Sequence, residues 1–124
     1  RGVEISGVRL KFGSGRVVEA SAERNEEYLI MLLDQDEGAR VMGEIAFGTN
    51  PEIDRPTGSV FFDEKMAGTF HAAVGAGYAR TGNTNRSALH LDMACDLRRG
   101  GEVYADGELI LRGGQFVMEG WPGV

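Results

Sequence analysis

Phe62-Asp63-Glu64-Lys65-Met66-Ala67-Gly68-Thr69-Phe70-His71, followed further along by His90-Leu91-Asp92, holds the only two histidines of the chain. How this stretch folds decides the architecture, and Gly68 to Gly77 reads two ways. Its glycines lower helix propensity by about 1 kcal/mol each relative to alanine, yet its small residues allow a helix to pack closely on a sheet. If the segment is helical, His71 and Tyr78, seven apart, lie on one face. Ala88 to Cys95 reads as a strand. There His90 and Asp92 point to the same side with roots about 6–7 Å apart, and Leu89, Leu91 and Met93 take the opposite face into the core. Each signal also has a plain reading. A lone histidine such as His71 is commonly a core residue, a tyrosine such as Tyr78 commonly just packs, and His-x-Asp arises often by chance.

Upstream, Glu44-Ile45-Ala46-Phe47-Gly48 has strand character, with Ile45 and Phe47 on one face and Glu44, Ala46 and Gly48 on the other. A carboxylate followed on its own face by two small residues has open space beside it. It also reads simply as an exposed glutamate at a strand end. If Glu44, His71, His90 and Asp92 converge, they form an oxygen-and-nitrogen ligand set of the kind that binds a divalent metal for hydrolysis.

The rest of the chain supplies scaffold. Val8 to Phe12 and Arg16 to Val18 flank Gly13-Ser14-Gly15 and predict a hairpin, which Gly2 to Ile5 would lengthen. Ser21 caps a predicted helix through Leu33, where Tyr28, Leu29, Leu32 and Leu33 recur at helical spacing and Glu23, Glu26 and Glu27 occupy the early turns. A shorter helix is expected from Asp34 or Asp36 to Met42, with Gly43 as its stop. Thr49 to Ser59, with Pro51, Pro56 and Gly58, is a loop. Val60-Phe61-Phe62 is a short strand or bend, and Arg80 to Ser87 a polar turn or loop. The tail reads as two hairpins: Glu102 to Ala105 and Glu108 to Leu111 around Asp106-Gly107, then Gly113-Gly114 turning into Gln115 to Met118. The expected class is α+β, with a mixed or antiparallel sheet, hairpins at both ends and two to three packed helices. Residues 1–124 are expected to form a single domain.

Composition narrows the function. The chain has 124 residues and 42% hydrophobic content, enough for one domain with a core. A formal net charge of −6 argues against nucleic acid and against an anionic membrane surface as partners. No apolar run approaches the roughly 20 residues that span a bilayer, and no secretory signal opens the chain. The single cysteine, Cys95, allows no internal disulfide and fits a reducing, cytoplasmic setting. The 19 glycines against 3 prolines point to many tight turns.

From Gly43 onward the ordered signals resemble the aminopeptidase T family of thermophile-type metallopeptidases. The matching pieces are Gly43-Glu44-Ile45-Ala46-Phe47-Gly48, Asp63-Glu64-Lys65, His71-Ala72-Ala73-Val74-Gly75 with Tyr78, His90-Leu91-Asp92, Asp106-Gly107-Glu108-Leu109 and Gly113-Gly114-Gln115-Phe116-Val117. Leu10 to Ala39 fits the segment before them. No one motif is specific; the combination in order is. The resemblance implies a site of two divalent metal ions, with zinc, cobalt and manganese all suited to the donors. Glu44, His71, His90 and Asp92 would be ligands, and Glu44 could instead serve as the base. Tyr78 would stabilise the oxyanion, and Glu64 would be an outer contact or hold the substrate amine. It implies a peptide substrate cleaved at its N-terminus and a homodimer. The family's further metal-binding glutamate and its N-terminal domain fall upstream of residue 1, so the chain resembles the C-terminal part of a longer enzyme. It would then be a fragment, a natural half-protein or one member of a split pair. That departure bears on whether this polypeptide acts alone and on whether both metal positions fill.

Two other functions fit the same residues. Iron(II)-dependent ring-cleaving dioxygenases acting on dihydroxypyridines resemble this family and share the helix histidine and the His-x-Asp pair, which together make a two-histidine, one-carboxylate site. Glu44 and the Asp63-Glu64-Lys65 context favour the peptidase. The third reading is a non-catalytic assembly domain whose metal residues have lost their upstream partner.

Overall fold

The computed structural model describes residues 2–121. Its elements run β1 (Arg9–Gly13), β2 (Arg16–Ser21), α1 (Glu26–Leu33), β3 (Met42–Phe47), α2 (Val60–Asp63), β4 (Thr69–Gly75), a 3₁₀ turn (Ala79–Thr81), β5 (His90–Asp96), β6 (Glu102–Ala105), β7 (Glu108–Arg112) and β8 (Gln115–Phe116). The strands form three small sheets, β1-β2, β3-β4-β5 and β6-β7-β8. The class is α+β, as the sequence implies. The chain divides into two compact units, residues 1–44 with 72–92, and residues 45–71 with 93–124.

In the first unit β1 and β2 form the expected hairpin. The turn is a two-residue one, Ser14-Gly15, with φ of 50° and 77°; positive φ at both positions matches the strand twist. β2 keeps pairing as far as Ser21, opposite Arg9, so Ser21 ends a strand and does not cap a helix. Gly2 to Ile5 adds no strand; Ser6 makes an isolated bridge to Arg24. The helix starts later, at Glu26, behind Asn25 in the left-handed region. Leu29 and Leu33, four apart on α1, are fully buried, each worth roughly 2–3 kcal/mol in apolar burial.

The helix expected from Asp34 to Met42 is absent. That segment is turns followed by the start of β3. It lacks an apolar stripe, and its polar side chains bond one another and a distant loop. Asp34 pairs with Arg40 at 2.8 Å, and Asp36 accepts from the Ser87 hydroxyl at 2.7 Å and the Ala88 N–H at 2.9 Å. Gly43 is no helix stop. It lies in β3, where an added Cβ would sit 2.6 Å from the Gly75 carbonyl oxygen. The Gly75 N–H bonds the Val41 carbonyl at 2.8 Å and the Ala76 N–H bonds the Leu89 carbonyl at 2.7 Å, so β4 is held on both edges. Val17, Ala39, Ala73, Val74 and Leu89 are buried alongside the two α1 leucines.

In the second unit the 49–59 segment is the expected loop, and Val60–Asp63 is a single helical turn, not a strand. Asp63 organises that turn. Its carboxylate accepts from the Thr57 N–H and hydroxyl, each at 2.7 Å, and from the Gly58 N–H at 3.1 Å. Phe47 packs against Phe70 and Phe116, and Phe116 stacks on Trp121 at 4.0 Å between ring centroids. The tail hairpins form as read, on Asp106-Gly107 with φ of 51° and 82° and on Gly113-Gly114 with φ of 58° and 82°. The last strand is shorter than expected, covering Gln115–Phe116 only.

Candidate metal centre

His71 lies on a strand. Thr69–Gly75 is β4, which overturns the helical alternative and with it the shared helix face of His71 and Tyr78. Two bonded edges prevail over a composition that favours neither state. His71 is buried, in the second unit. Tyr78 belongs to the first unit, where it precedes the 3₁₀ turn and is exposed. Glu64, in the second unit, pairs with Lys65.

Three of the expected residues come together, all in the first unit. One ligand atom each from Glu44, His90 and Asp92 lies within 4.8 Å of the other two. His90 Nε2 is 3.2 Å from Asp92 Oδ1 and 3.8 Å from Glu44 Oε2. The sheet explains the convergence. His90 and Asp92 share a face of β5 by the two-residue period. Glu44 reaches them from β3, with β4 between. Flanking strands two spacings apart have backbones roughly 10 Å apart, so their side chains meet only where the middle strand carries small residues. β4 has small residues on both of its faces, Ala72 on one and Ala73 with Gly75 on the other.

The histidine is oriented from behind. Its Nδ1 lies 2.6 Å from the Ala76 carbonyl oxygen. A carbonyl only accepts, so Nδ1 carries the proton and Nε2 offers its lone pair to the side where the carboxylates lie. The Ala76 contact, and then the charges of Asp92 and Glu44, raise the His90 pKa above its ordinary 6.5 against a lowering by partial burial. The supporting backbone requires glycine at position 75, where φ is +97° and an added Cβ would lie only 2.1 Å from the Leu89 carbonyl oxygen. The groove beside α1, lined by Arg16, Leu33, Asp34, Asp36, Glu37 and Arg40, holds none of these residues.

The donors fit a divalent cation. Ligand atoms about 2.0–2.2 Å from one ion lie roughly 3–4 Å from one another, close to the 3.2 and 3.8 Å found here. One imidazole nitrogen and two carboxylates suit zinc-like or harder ions, and a histidine whose other nitrogen bonds a carbonyl is the usual ligand arrangement.

The sequence did not reveal the role of Ala76, which acts through its main chain, or the role of the polar loop behind it. Asn83, Asn85 and Ser87 lie in the segment whose composition predicts a polar turn or loop. Each side-chain oxygen accepts from the N–H two residues on, at 2.8, 3.0 and 3.0 Å. The alternation of short polar residues was the signal.

A fold with a small antiparallel sheet carrying one histidine and two carboxylates on one patch defines a candidate divalent-metal protein. Comparison with known proteins supplies the family: the chain matches the thermophilic metalloprotease (M29) family over residues 1–116 and belongs to it. It is 34% identical to aminopeptidase T of Thermus aquaticus over 92% of this chain and 32% of that protein. It is also 34% identical to aminopeptidase 2 of Geobacillus stearothermophilus over 93% of this chain and 33% of that protein. Among solved structures it resembles wild-type AmpT from Thermus thermophilus, with a TM-score of 0.64, 30% identity, and coverage of 92% of this chain and 32% of that one. The chain thus spans about one third of the length of these relatives. No helix among the described residues is long and apolar enough to cross a membrane.

Proposed function

We propose that residues 1–124 form the metal-binding portion of a metal-dependent aminopeptidase, removing N-terminal residues from peptides. The observation that carries this reading is the Glu44-His90-Asp92 cluster, with His90 Nε2 presented to two carboxylates. The names of the aminopeptidase relatives support the substrate class. In this reading His90 Nε2, Asp92 and Glu44 hold a divalent cation. When bound, the cation supplies Lewis acidity for hydrolysis. Glu44 either remains a ligand or takes the proton of the attacking water. Tyr78 donates its phenolic O–H to the substrate carbonyl oxygen as charge builds there. Zinc, cobalt and manganese all suit the donors. The protein is a cytoplasmic homodimer, and catalysis draws on a further portion or partner chain.

The three donors brought together include a single histidine and two carboxylates, which favours the hydrolase over the two-histidine iron(II) dioxygenase. Metal analysis and calorimetric titration with zinc and cobalt, paired with a leucyl chromogenic assay with and without chelator, test the reading. Stoichiometric uptake is expected. A chain that binds neither ion would refute it, and oxygen consumption after anaerobic loading with iron(II) would move the assignment to the dioxygenase.

A further inference from the structure

We infer that Asn85 is a positioning residue of the candidate metal centre: its side-chain amide fixes the Gly75–Ala76 peptide, and the Ala76 carbonyl in turn sets which nitrogen of His90 faces the carboxylates. The inference rests on the metal-binding role proposed for Glu44, His90 and Asp92.

Asn85 Nδ2 donates to the Gly75 carbonyl and to the Gly38 carbonyl, each at 2.8 Å. Its Oδ1 accepts from the Ser87 N–H at 3.0 Å. Both amide protons and the carbonyl are therefore used, all on main chain. The Gly75–Ala76 peptide is gripped on two sides, its oxygen by Asn85 and its N–H by the Leu89 carbonyl at 2.7 Å. The next carbonyl, that of Ala76, is the one His90 Nδ1 bonds. Rotation of the Gly75–Ala76 peptide would swing that acceptor away. Gly75, at a left-handed φ of +97°, is by itself a permissive hinge, so the orientation of this peptide depends on those two hydrogen bonds.

The neighbouring asparagine extends the clamp to the other side of the site. Asn83 Oδ1 accepts from the Asn85 N–H at 2.8 Å, and Asn83 Nδ2 reaches the Gly43 carbonyl at 3.3 Å, one residue before Glu44. The glycines leave space for these amides. A Cβ at Gly77 would lie 1.9 Å from Asn83 Cγ, and one at Gly38 would lie 2.2 Å from Asn85 Oδ1. One short loop thus touches the backbone next to Glu44, the backbone behind His90 and the entry to β5. An amide that merely braced a loop would affect folding stability alone. A positioning residue also changes the imidazole and the metal.

The test uses Asn85→Asp, which keeps the shape and the acceptor but loses both donors, and Asn85→Ala, which carries the test if the aspartate does not fold. Leu33→Ala, in the core of the same unit, is the control for lost stability alone. The first readout is the imidazole nitrogen shifts of His90 in metal-free protein, at a pH where the ring is neutral. The second is the affinity and visible spectrum of added cobalt(II). The expectation is a defined Nδ1–H tautomer in the wild type and a mixture in the Asn85 variants. Cobalt(II) binding should weaken about 10–100-fold, with an altered spectrum. Leu33→Ala should keep both wild-type signatures below its melting temperature. Asn85 variants with the wild-type tautomer and wild-type cobalt(II) affinity would overturn the inference. If the wild type takes up no cobalt(II), the metal reading fails by itself, and the tautomer measurement alone decides the role of Asn85.

Discussion

The Ala76 carbonyl oxygen stands 2.6 Å from His90 Nδ1, and this main-chain contact turns the opposite nitrogen of the ring toward Asp92 and Glu44. The three donors then act together, and loss of any one leaves a pair too weak to compete with water. His90→Ala and Asp92→Ala are each expected to abolish zinc and cobalt uptake. Calorimetric titration checks this, and unchanged affinity in either variant would remove the site.

Gly75 separates backbone strain from site geometry. Gly75→Ala places a side chain at φ +97° with its Cβ 2.1 Å from the Leu89 carbonyl oxygen. The conformation alone costs about 1–3 kcal/mol, and relief of the clash must move the segment that carries the Ala76 carbonyl. Gly107→Ala meets a similar φ of +82° but nothing within 4 Å. Both variants are expected to melt at a lower temperature, and only Gly75→Ala to bind cobalt more weakly. Equal cobalt affinity in the two would show that the Gly75 close approach has no bearing on the site.

These two glycines also show what could be read in advance. Asp106-Gly107 announced its hairpin because a two-residue turn needs positive φ at both positions, and few residue pairs supply it. His90 and Asp92 were placed on one face by strand alternation alone. β4 was not legible. Its Thr-Phe-His-Ala-Ala-Val-Gly composition does not decide between helix and strand, and its state is set by the strands on either side. The extent of α1 was misread because Ser21 had a stronger claim as the partner of Arg9. Ala76 left no mark in the sequence, since a main-chain acceptor can come from any residue. The convergence of Glu44 with His90 depended on knowing that β4 lies between their strands.

Proton and metal compete for His90. Its pKa is raised, chiefly by the Ala76 contact and then by Asp92 and Glu44. A raised folded value means the folded chain binds this proton more tightly than the unfolded chain. Its stabilising contribution in the metal-free protein is therefore complete below about 6.5 and fades as pH climbs through the raised value. Metal affinity runs the other way, falling as pH drops into the range where His90 is protonated. Imidazole proton shifts of metal-free protein should give a midpoint above 6.5, and Asp92→Asn should lower it. A midpoint at or below 6.5 in the wild type would contradict the geometry.

Asp96 offers an acid-side test away from the metal residues. The hydrogen bonds of Arg98 to its two carboxylate oxygens, at 2.9 and 2.8 Å, are the main cause holding its pKa down to about 2 against an ordinary 3.8. A depressed folded value gives stability that is present above the unfolded pKa and is lost as pH falls from about 4 toward 2. The carboxylate is 38% exposed, so solvent screening reduces the gain to about 1 kcal/mol or less. Asp96→Asn is expected to lower the denaturation midpoint modestly at pH 7 and to match the wild type near pH 2. Urea titrations at the two pH values measure the difference. An equal deficit at both would mean that the side chain contributes through packing, because only a charge-dependent contribution disappears on protonation.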